Sequence, residues 1–333
     1  MIDSCEQFAL LKTMDGRLIL GEGPFSEVEE CPHFETAFYV NDFALSDAKP
    51  WKIPSKVHEV GLLEVTEEEL EIDWEEMTPK GFAEVFAEIN QAIAGGEIEK
   101  SVPVATEKGV LKKGSVKSLL ASLNRVGDAF YPYAWVDGEK GFCGLTPEVL
   151  FNLRKGRLNT MALAGTAKSE ERDVFQYDEK EIREHAFVAQ TLVSKLSDVG
   201  MVTRSERCIM DLGSLVHFHT PIEVFLYGDY SIDELVKRLH PTPALGPLPR
   251  TQETMQQLIN WRDRLDCPAK FGAPFGLLEN GVFHSVVAIR GVHWDGDEIS
   301  VPSGCGVIEA SRLTNEWREL GLKREAVKRR FFS

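Results

Sequence analysis

Two helical segments that lie far apart in the chain each carry two glutamates three residues apart. The first segment is Glu181-Ile-Arg-Glu184 and the second is Glu316-Trp-Arg-Glu319. Side chains at i and i+3 lie roughly 5–6 Å apart on one helix face, so each pair of like charges is mildly destabilising. A solvated acidic face is the simpler interpretation of either pair alone. Two such pairs instead favour a fold that brings both helices together around a hard divalent cation such as Mg²⁺.

The net charge and the cysteines limit the class of protein. The 333 residues carry a formal net charge of −16, so no nucleic-acid partner is expected, because binding phosphates requires a basic face. The six cysteines show neither zinc-ligand spacing nor a disulfide framework, which favours reduced thiols and a cytoplasmic protein. The first residues lack a secretion signal, and no segment approaches about 18 consecutive apolar residues, so no membrane partner is expected.

The order of strand and helix patterns predicts an α+β fold. Residues 8–75 are predicted to form strands, with a hairpin turn at Asp15-Gly16, and residues 130–165 an antiparallel meander. Apolar residues at helical spacing predict helices near 80–94, 116–123, 174–198, 232–240, 252–265 and 314–330, and further strands are predicted at 282–294 and 298–302. Because strands and helices are partly segregated, layered antiparallel sheets flanked by helices are favoured over a doubly wound parallel sheet.

Six short fragments occur in the order and rough spacing of the chorismate-utilising enzymes. They are Leu163-Ala-Gly-Thr166, Lys180-Glu-x-x-Glu-His185, His240-Pro-Thr-Pro-Ala244, Val287-Ala-Ile-Arg290, Gly304-Cys-Gly306 and Glu316-Trp-Arg-Glu-x-x-x-Lys323. Over roughly residues 80–330 the chain most closely resembles the isochorismate synthase branch, with salicylate synthases close behind. The resemblance implies an anthranilate-synthase component I-like fold, in which residues 1–333 form one catalytic domain and residues 1–75 are a divergent part of it.

The resemblance also implies a site for Mg²⁺ and for chorismate, which is a dianion at neutral pH. Glu184 and Glu319 match the metal ligands of the family, and Glu181 and Glu316 then hold metal-bound waters behind them. Arg290, predicted to lie within a strand at 286–292, matches the arginine that grips the enolpyruvyl carboxylate. The remaining positions that match substrate-binding residues are Ala164, Gly165, Thr166, His217, Gly304, Cys305, Gly306 and Lys323. From the residues alone, a structural turn is the simpler interpretation of these glycines, and a structural histidine is nearly as well supported for His217. A structural ion pair is the alternative for Arg290 and ranks below substrate binding, because the neighbouring motifs converge.

Two further residues match the acid and the base of the isochorismate branch. That branch adds water at ring carbon 2 and expels hydroxide from carbon 4, so it needs a proton acceptor and a proton donor. Lys100 matches the general base, and it must be uncharged to accept a proton. Glu148 matches the general acid, and its pKa must be raised for it to keep a proton.

Three hypotheses for the function stay open. The leading one is an isochorismate synthase that supplies menaquinone, a siderophore or salicylate. A salicylate synthase would continue by eliminating pyruvate. The third is a chorismate-binding protein without turnover, which is suggested by Pro103 in the strand that should carry Lys100. Because the amination branches lack a lysine at the position of Lys100, no glutamine amidotransferase subunit is expected, and the protein is expected to be a monomer or a homodimer.

Overall fold

Antiparallel strands dominate the computed structural model, which describes residues 5–32, 34–125, 127 and 129–332. The strands are β1 (Gln7–Lys12), β2 (Leu18–Glu22), β3 (Ser26–Val28), β4 (Ala37–Val40), β5 (Trp51–Ile53), β6 (Lys56–Val60), β7 (Glu71–Trp74), β8 (Lys100–Ser101), β9 (Val104–Lys113), β10 (Tyr131–Asp137), β11 (Lys140–Thr146), β12 (Val149–Arg154), β13 (Arg157–Lys168), β14 (Gly200–Arg204), β15 (Cys208–Asp211), β16 (Leu215–Leu226), β17 (Pro274–Glu279), β18 (Val282–Val287), β19 (Gly291–Asp295), β20 (Glu298–Gly304) and β21 (Val307–Ile308). The α-helices are α1 (Lys80–Ala94), α2 (Arg172–Phe175), α3 (Glu179–Leu196), α4 (Ile232–Leu239), α5 (Gln252–Arg264) and α6 (Leu313–Phe331), and 3₁₀ helices span Val116–Asn124 and Ser169–Glu171.

The strands form two large antiparallel sheets and one small one. The nine-stranded sheet has the order β6-β2-β1-β10-β11-β19-β20-β9-β7, and the ten-stranded sheet has the order β14-β16-β13-β12-β18-β17-β4-β5-β3, with β15 also paired to β16. The small sheet pairs β21 with β8. The predicted α+β fold of layered antiparallel sheets is therefore confirmed. The strands of the first 75 residues belong to both large sheets.

An aromatic cluster joins the two large sheets face to face. Phe275 of the ten-stranded sheet packs against Tyr133 and Phe142 of the nine-stranded sheet, with ring centroids 5.9 and 5.7 Å apart. All three side chains are almost fully buried, and each contributes roughly 1.5–3 kcal/mol of hydrophobic stabilisation. The helices cover the outer faces of the sheets. The apolar stripe of α3, for example, packs on β13 and β16 through Val188 and Leu192.

The structure confirms some of the predicted elements and corrects others. The hairpin at Asp15-Gly16 joins β1 to β2, and the helix predicted near 80–94 is α1. Residues 116–124 form a 3₁₀ helix rather than an α-helix. Residues 130–165 are not one meander, because β11 belongs to the nine-stranded sheet and β12 to the ten-stranded sheet. The strand predicted at 282–294 is likewise divided between the two sheets, as β18 and β19.

The chain therefore crosses between the large sheets at two neighbouring segments, 147–148 and 288–290. Backbone hydrogen bonds link these crossings to each other's flanking strands: the amide of Val287 donates to the carbonyl of Glu148 at 3.0 Å, and the amide of Leu145 donates to the carbonyl of Arg290 at 3.1 Å. Glu148 and Arg290 are thus placed side by side at the junction of the sheets. Within the described ranges, no helix has the length and apolarity needed to cross a membrane.

Candidate active site

A cleft of about 700 Å³, partly open to solvent, lies where the crossing segments meet α3 and α6. Its lining residues are Pro147, Glu148, Leu163, Ala164, Gly165, Thr166, Glu184, His217, Ala244, Leu245, Phe271, Ile289, Arg290, Pro302, Ser303, Gly304, Gly306, Glu319, Lys323 and Val327. A concave site with an apolar wall and a few convergent polar groups suits a small ligand. Most of the residues predicted to bind substrate or metal therefore line one space.

Four glutamates from α3 and α6 converge at this cleft. Glu184 and Glu319 line it, with side chains that are 13% and 21% exposed, while Glu181 and Glu316 lie behind them and are buried. The spacing of three residues places both members of each pair on the helix face that points inward. The solvated acidic faces that were the simpler interpretation of each pair are not what the structure contains.

Three lysines form ion pairs with these four carboxylates and offset their negative charge. The ammonium of Lys100 lies 3.3 Å from Glu184 Oε1, and that of Lys323 lies 2.6 Å from Glu319 Oε1. The third ammonium, of Lys180, bridges the two helices, at 3.1 Å from Glu181 Oε1 and 3.4 Å from Glu316 Oε1.

Burial and neighbouring charges shift the pKa values of Glu181, Glu316 and Glu319 in different directions. Burial raises the pKa of Glu181 to about 7, with a further contribution from the charge of Glu184. Burial also raises the pKa of Glu316. At Glu319 burial acts in the same direction, but the ion pair with Lys323 outweighs it and holds the pKa below its usual value. The carboxyl of Glu319, which lines the cleft, therefore stays ionised.

The donor set fits a hard divalent cation that keeps part of its water shell. Across the described ranges, no three His, Cys, Asp or Glu side chains stand close enough to hold a metal ion on their own. Magnesium is commonly held by one or two carboxylates together with water and substrate oxygens, so Glu184 and Glu319 would suffice. In addition, the buried Oε2 of Glu316 has no hydrogen-bond partner among the described residues. An unsatisfied buried carboxylate oxygen is costly and suits a water bound to a cation.

Glu148 is a buried carboxyl that faces the cleft from the first crossing segment. It is 3% exposed, and burial raises its pKa to about 7. The hydroxyl of Thr242 donates to its Oε1 at 2.8 Å, which favours the ionised form and limits the rise. A carboxyl with this pKa can hold a proton at neutral pH and release it to a ligand.

Lys100 is buried beside the cleft rather than in its lining. It lies on β8, is 1% exposed, and its backbone pairs with Leu248. Its ammonium lies behind Glu184, and a Cβ at position 306 would come within 3.0 Å of its Cε. Pro103 ends the strand that was expected to continue, so β8 and β9 are separate strands in different sheets. The proline thus lies between two strands, where its missing N–H breaks no ladder.

Arg290 does not lie within a strand, contrary to the prediction. It sits in the second crossing segment with a φ of 57°, in the left-handed region that non-glycine residues rarely adopt. Its Nη2 donates to His217 Nε2 at 2.9 Å, and the Nδ1 of His217 donates to the carbonyl of Gly165 at 2.6 Å. Burial and the charge of Arg290 hold the pKa of His217 far below its usual value, so this histidine is neutral.

The structural ion pair considered for Arg290 is not found. Across the described residues, no carboxylate oxygen lies within 4.0 Å of its guanidinium, whereas shorter ion pairs occur at Glu184 and Glu319 nearby. Burial lowers the pKa of Arg290 to about 10, which leaves it charged at neutral pH. A buried guanidinium without a protein counter-ion is costly. An anionic ligand in the cleft would compensate it.

The glycine loop follows β20 and closes the cleft against Glu184. A Cβ on Gly306 would lie 2.5 Å from Glu184 Oε1, so any other residue here would displace that carboxylate. Lys323 donates to the carbonyl of Gly304 at 2.8 Å and so ties the loop to α6. Cys305 was expected to bind substrate, but its side chain packs into the core beside Phe82 and its amide donates to the carbonyl of Pro103. Within the loop, Gly304 and Gly306 line the cleft, whereas Cys305 does not.

Several residues of the site were missed by sequence reasoning. Lys180 and Thr242 lie inside the recognised fragments but had been given no role. Lys180 could have been found from its position next to Glu181, and Thr242 from its position within His240-Pro-Thr-Pro-Ala244. The apolar wall of the cleft includes Leu245, Phe271 and Val327. These three gave no signal, because an apolar residue in a wall has the same pattern as one in the core.

Comparisons with known proteins agree on one family. A family described as chorismate binding enzyme matches residues 51–331. Isochorismate synthase MenF of Haemophilus influenzae is 29% identical over 250 residues, which cover 71% of this chain and 57% of that protein. Isochorismate synthase MenF of Bacillus subtilis is 32% identical over 212 residues, which cover 58% of this chain and 43% of that protein. The chain thus spans about half the length of these curated relatives.

The fold also has a close counterpart among solved structures. The structure of the menaquinone-specific isochorismate synthase MenF from Escherichia coli matches with a TM-score of 0.85 at 17% identity, over 100% of this chain and 90% of that chain. Anthranilate synthase component I from Streptococcus pneumoniae matches with a TM-score of 0.63 at 16% identity, over 79% of this chain and 60% of that chain. At these identities the likeness concerns the fold.

Proposed function

The chain belongs to the chorismate binding enzymes, and from this premise we propose that it is an isochorismate synthase. The reaction is an isomerisation: water adds at carbon 2 of chorismate and the hydroxyl leaves from carbon 4. The pathway that the product enters, whether to menaquinone, a siderophore or salicylate, is left open by this proposal. A glutamine amidotransferase subunit is not expected, because water rather than ammonia is the nucleophile.

The observation that carries the proposal is the placement of Glu148 in the lining of the cleft and of Lys100 buried beside it. Glu148 holds a proton at neutral pH because its pKa is raised to about 7, so it can give that proton to the departing hydroxyl. Lys100, a buried lysine whose Nζ lies 3.3 Å from Glu184 Oε1, is assigned as the acceptor of the proton from the attacking water, and it must be uncharged before it accepts that proton. An acid and a base at one site are what the exchange of a hydroxyl between two carbons requires.

We assign the binding of the substrate's carboxylates to the cationic and backbone groups of the cleft. Arg290, which lacks a protein counter-ion among the described residues, would pair with one carboxylate through two parallel hydrogen bonds. The loop at Gly304 and Gly306 would approach the other carboxylate closely. Neutral His217 orients the guanidinium, because its Nε2 accepts from Nη2.

We further propose that Mg²⁺ is the cofactor, held by Glu184 and Glu319. When bound it would supply two positive charges, which compensate the four glutamates and attract an anionic ring into an acidic protein. Glu181 and Glu316 would accept hydrogen bonds from its waters, and Lys180 would keep both in place. Mg²⁺ and the cytoplasmic location expected from the cysteines both stay predictions.

Incubation of the purified protein with chorismate and Mg²⁺, followed by chromatography of the products, tests the function. The proposal expects isochorismate alone. Salicylate together with pyruvate would show that elimination follows and would replace the proposal with a salicylate synthase. Unchanged chorismate, with chorismate binding still measurable by calorimetry, would replace it with a binding protein that lacks turnover.

The pH dependence should report the protonation of Glu148. Its pKa is raised, so the acid form that the reaction needs is present below about pH 7 and is lost above it. We therefore expect kcat/KM to fall with a slope of about one decade per pH unit above pH 7. Thr242→Val removes the donor that favours the carboxylate form of Glu148, so the fall of kcat/KM should begin at a higher pH. The matched control is Thr160→Val, another buried threonine, whose hydroxyl donates to the carbonyl of Leu150. If kcat/KM of Thr242→Val and of wild type fell above the same pH, the assignment of Glu148 would be contradicted.

A further inference from the structure

A second cavity of about 410 Å³ lies directly beside the cleft. Its lining residues are Phe130, Leu145, Leu212, Ser214, Leu215, Arg290, Ala326, Val327, Arg330 and Phe331. We call it the side pocket. Apolar side chains make up most of its wall, and the described lining residues include two arginines and no carboxylate. This combination of an apolar wall with a few convergent charges is typical of a site for a small organic anion.

The side pocket is linked by shared lining residues to the cleft and to a shallow depression, and we call this series of cavities the route. It shares Arg290 and Val327 with the cleft, and it shares Ser214, Leu215 and Ala326 with the depression. One face of α6 follows this route, from Glu319 in the cleft past Val327 to Arg330. Successive turns of α6 therefore line first the cleft and then the side pocket.

The charges of the lining residues balance in the depression and are positive in the side pocket. The depression is lined by two cations, Lys168 and Arg329, and by two glutamates, Glu170 and Glu325. In the side pocket Arg330 has no carboxylate oxygen within 4.0 Å among the described residues, and its guanidinium stacks over the ring of Phe130 at 4.7 Å. An anion that enters the cleft through the side pocket therefore meets Arg330 as well as Arg290.

The net charge of the protein makes a local positive potential useful for capturing an anionic substrate. A formal charge of −16 repels a dianion at long range, and the two arginines of the side pocket offset that repulsion locally. We propose that the side pocket is a capture subsite in which Arg330 holds a carboxylate of the ring substrate on its way to Arg290. The identity of that substrate rests on the proposed function, whereas the position of the subsite rests on the cavity and its charges.

Replacement of Arg330 by glutamine tests this proposal. At low ionic strength we expect kcat/KM for chorismate to fall about threefold to tenfold with kcat unchanged, because a rim charge affects mainly the association rate. Calorimetry should show the dissociation constant for chorismate rising by a similar factor. In about 1 M salt, where the Debye length is about 3 Å, the difference from wild type should largely disappear. Arg330→Lys should retain most of the wild-type value.

The charge-matched control is Lys140→Gln. Lys140 begins β11, whereas Leu145 of the side pocket lies near the opposite end of the same strand. This variant should change kcat/KM by less than about twofold, since its charge is far from the route. Equal values for Arg330→Gln and Lys140→Gln would overturn the capture subsite, as would a lowered kcat with unchanged KM. Inhibition by benzoate that is noncompetitive in wild type and absent in Arg330→Gln would also overturn it, because the pocket would then be an inhibitor site.

Failure of the proposed function would look different from failure of the capture subsite. If the wild-type protein does not convert chorismate, the function is wrong. The dissociation constants of wild type, Arg330→Gln and Lys140→Gln would still show whether the charge at position 330 contributes to binding. If the wild type does convert it and the two variants behave alike, the function stands and the subsite is wrong.

Discussion

Lys100→Ala should lower kcat by about two to four orders of magnitude, which is the usual contribution of a positioned general base. The affinity for chorismate should change little, because Lys100 is assigned to the attacking water and not to the carboxylates of the substrate. Single-turnover measurements of isochorismate formation at saturating chorismate and Mg²⁺ would give the value directly. Circular dichroism should confirm that the variant is folded, since the change leaves Glu184 without its ammonium partner.

Lys100→Arg separates the two roles that Lys100 could have. Arginine keeps the positive charge beside Glu184 but cannot be deprotonated in a protein, so it cannot serve as a base. The proposal expects Lys100→Arg to be about as inactive as Lys100→Ala. Substantial turnover by the arginine variant would show that position 100 supplies only a cation, and the base would have to be sought elsewhere in the cleft.

Glu319→Gln should raise the Mg²⁺ concentration needed for half-maximal activity by at least about 100-fold, since even the outer partners of metal ligands contribute 10–100-fold to affinity. Glutamine keeps the size of the side chain and a carbonyl oxygen but removes the charge that Lys323 holds in its ionised form. Titration of activity with Mg²⁺ at saturating chorismate measures the effect.

The matched control for Glu319→Gln is Glu325→Gln, on the same helix. Glu325 is exposed and lies outside the cleft, so its replacement makes the same change of charge without touching the proposed ligands. Its Mg²⁺ titration should overlay that of wild type. Coincident titrations of Glu319→Gln and wild type would remove Glu319 from the ligand set.

The parts of the site that could be predicted are those in which spacing along the chain sets position in space. Glutamates three residues apart must share a helix face, and the inward direction of both pairs followed once two helices were required to meet. The glycine loop was also predicted, although the direction of Cys305 was not. A motif identifies the residues near a ligand, while packing against core residues that are remote in sequence decides which side chains reach it.

Other features depend on contacts between segments that are remote in sequence. The apolar run from Val286 to Val292 predicts one continuous strand, because hydrophobicity cannot distinguish two short buried strands from a single long one. The interruption at Arg290 exists because the chain passes from one sheet to the other at that point. The same is true of Glu148, whose neighbours β11 and β12 have ordinary strand patterns but belong to different sheets.

Local patterns of polarity and spacing were thus enough for the α+β class, the helices and the two pairs of inward-facing glutamates, because these depend on periodicities of a few residues. Which charges compensate each other, the raised pKa of Glu148 and the route past Arg330 were settled only by folding. They arise from burial and from distances between remote segments, and a linear order of residues contains neither quantity.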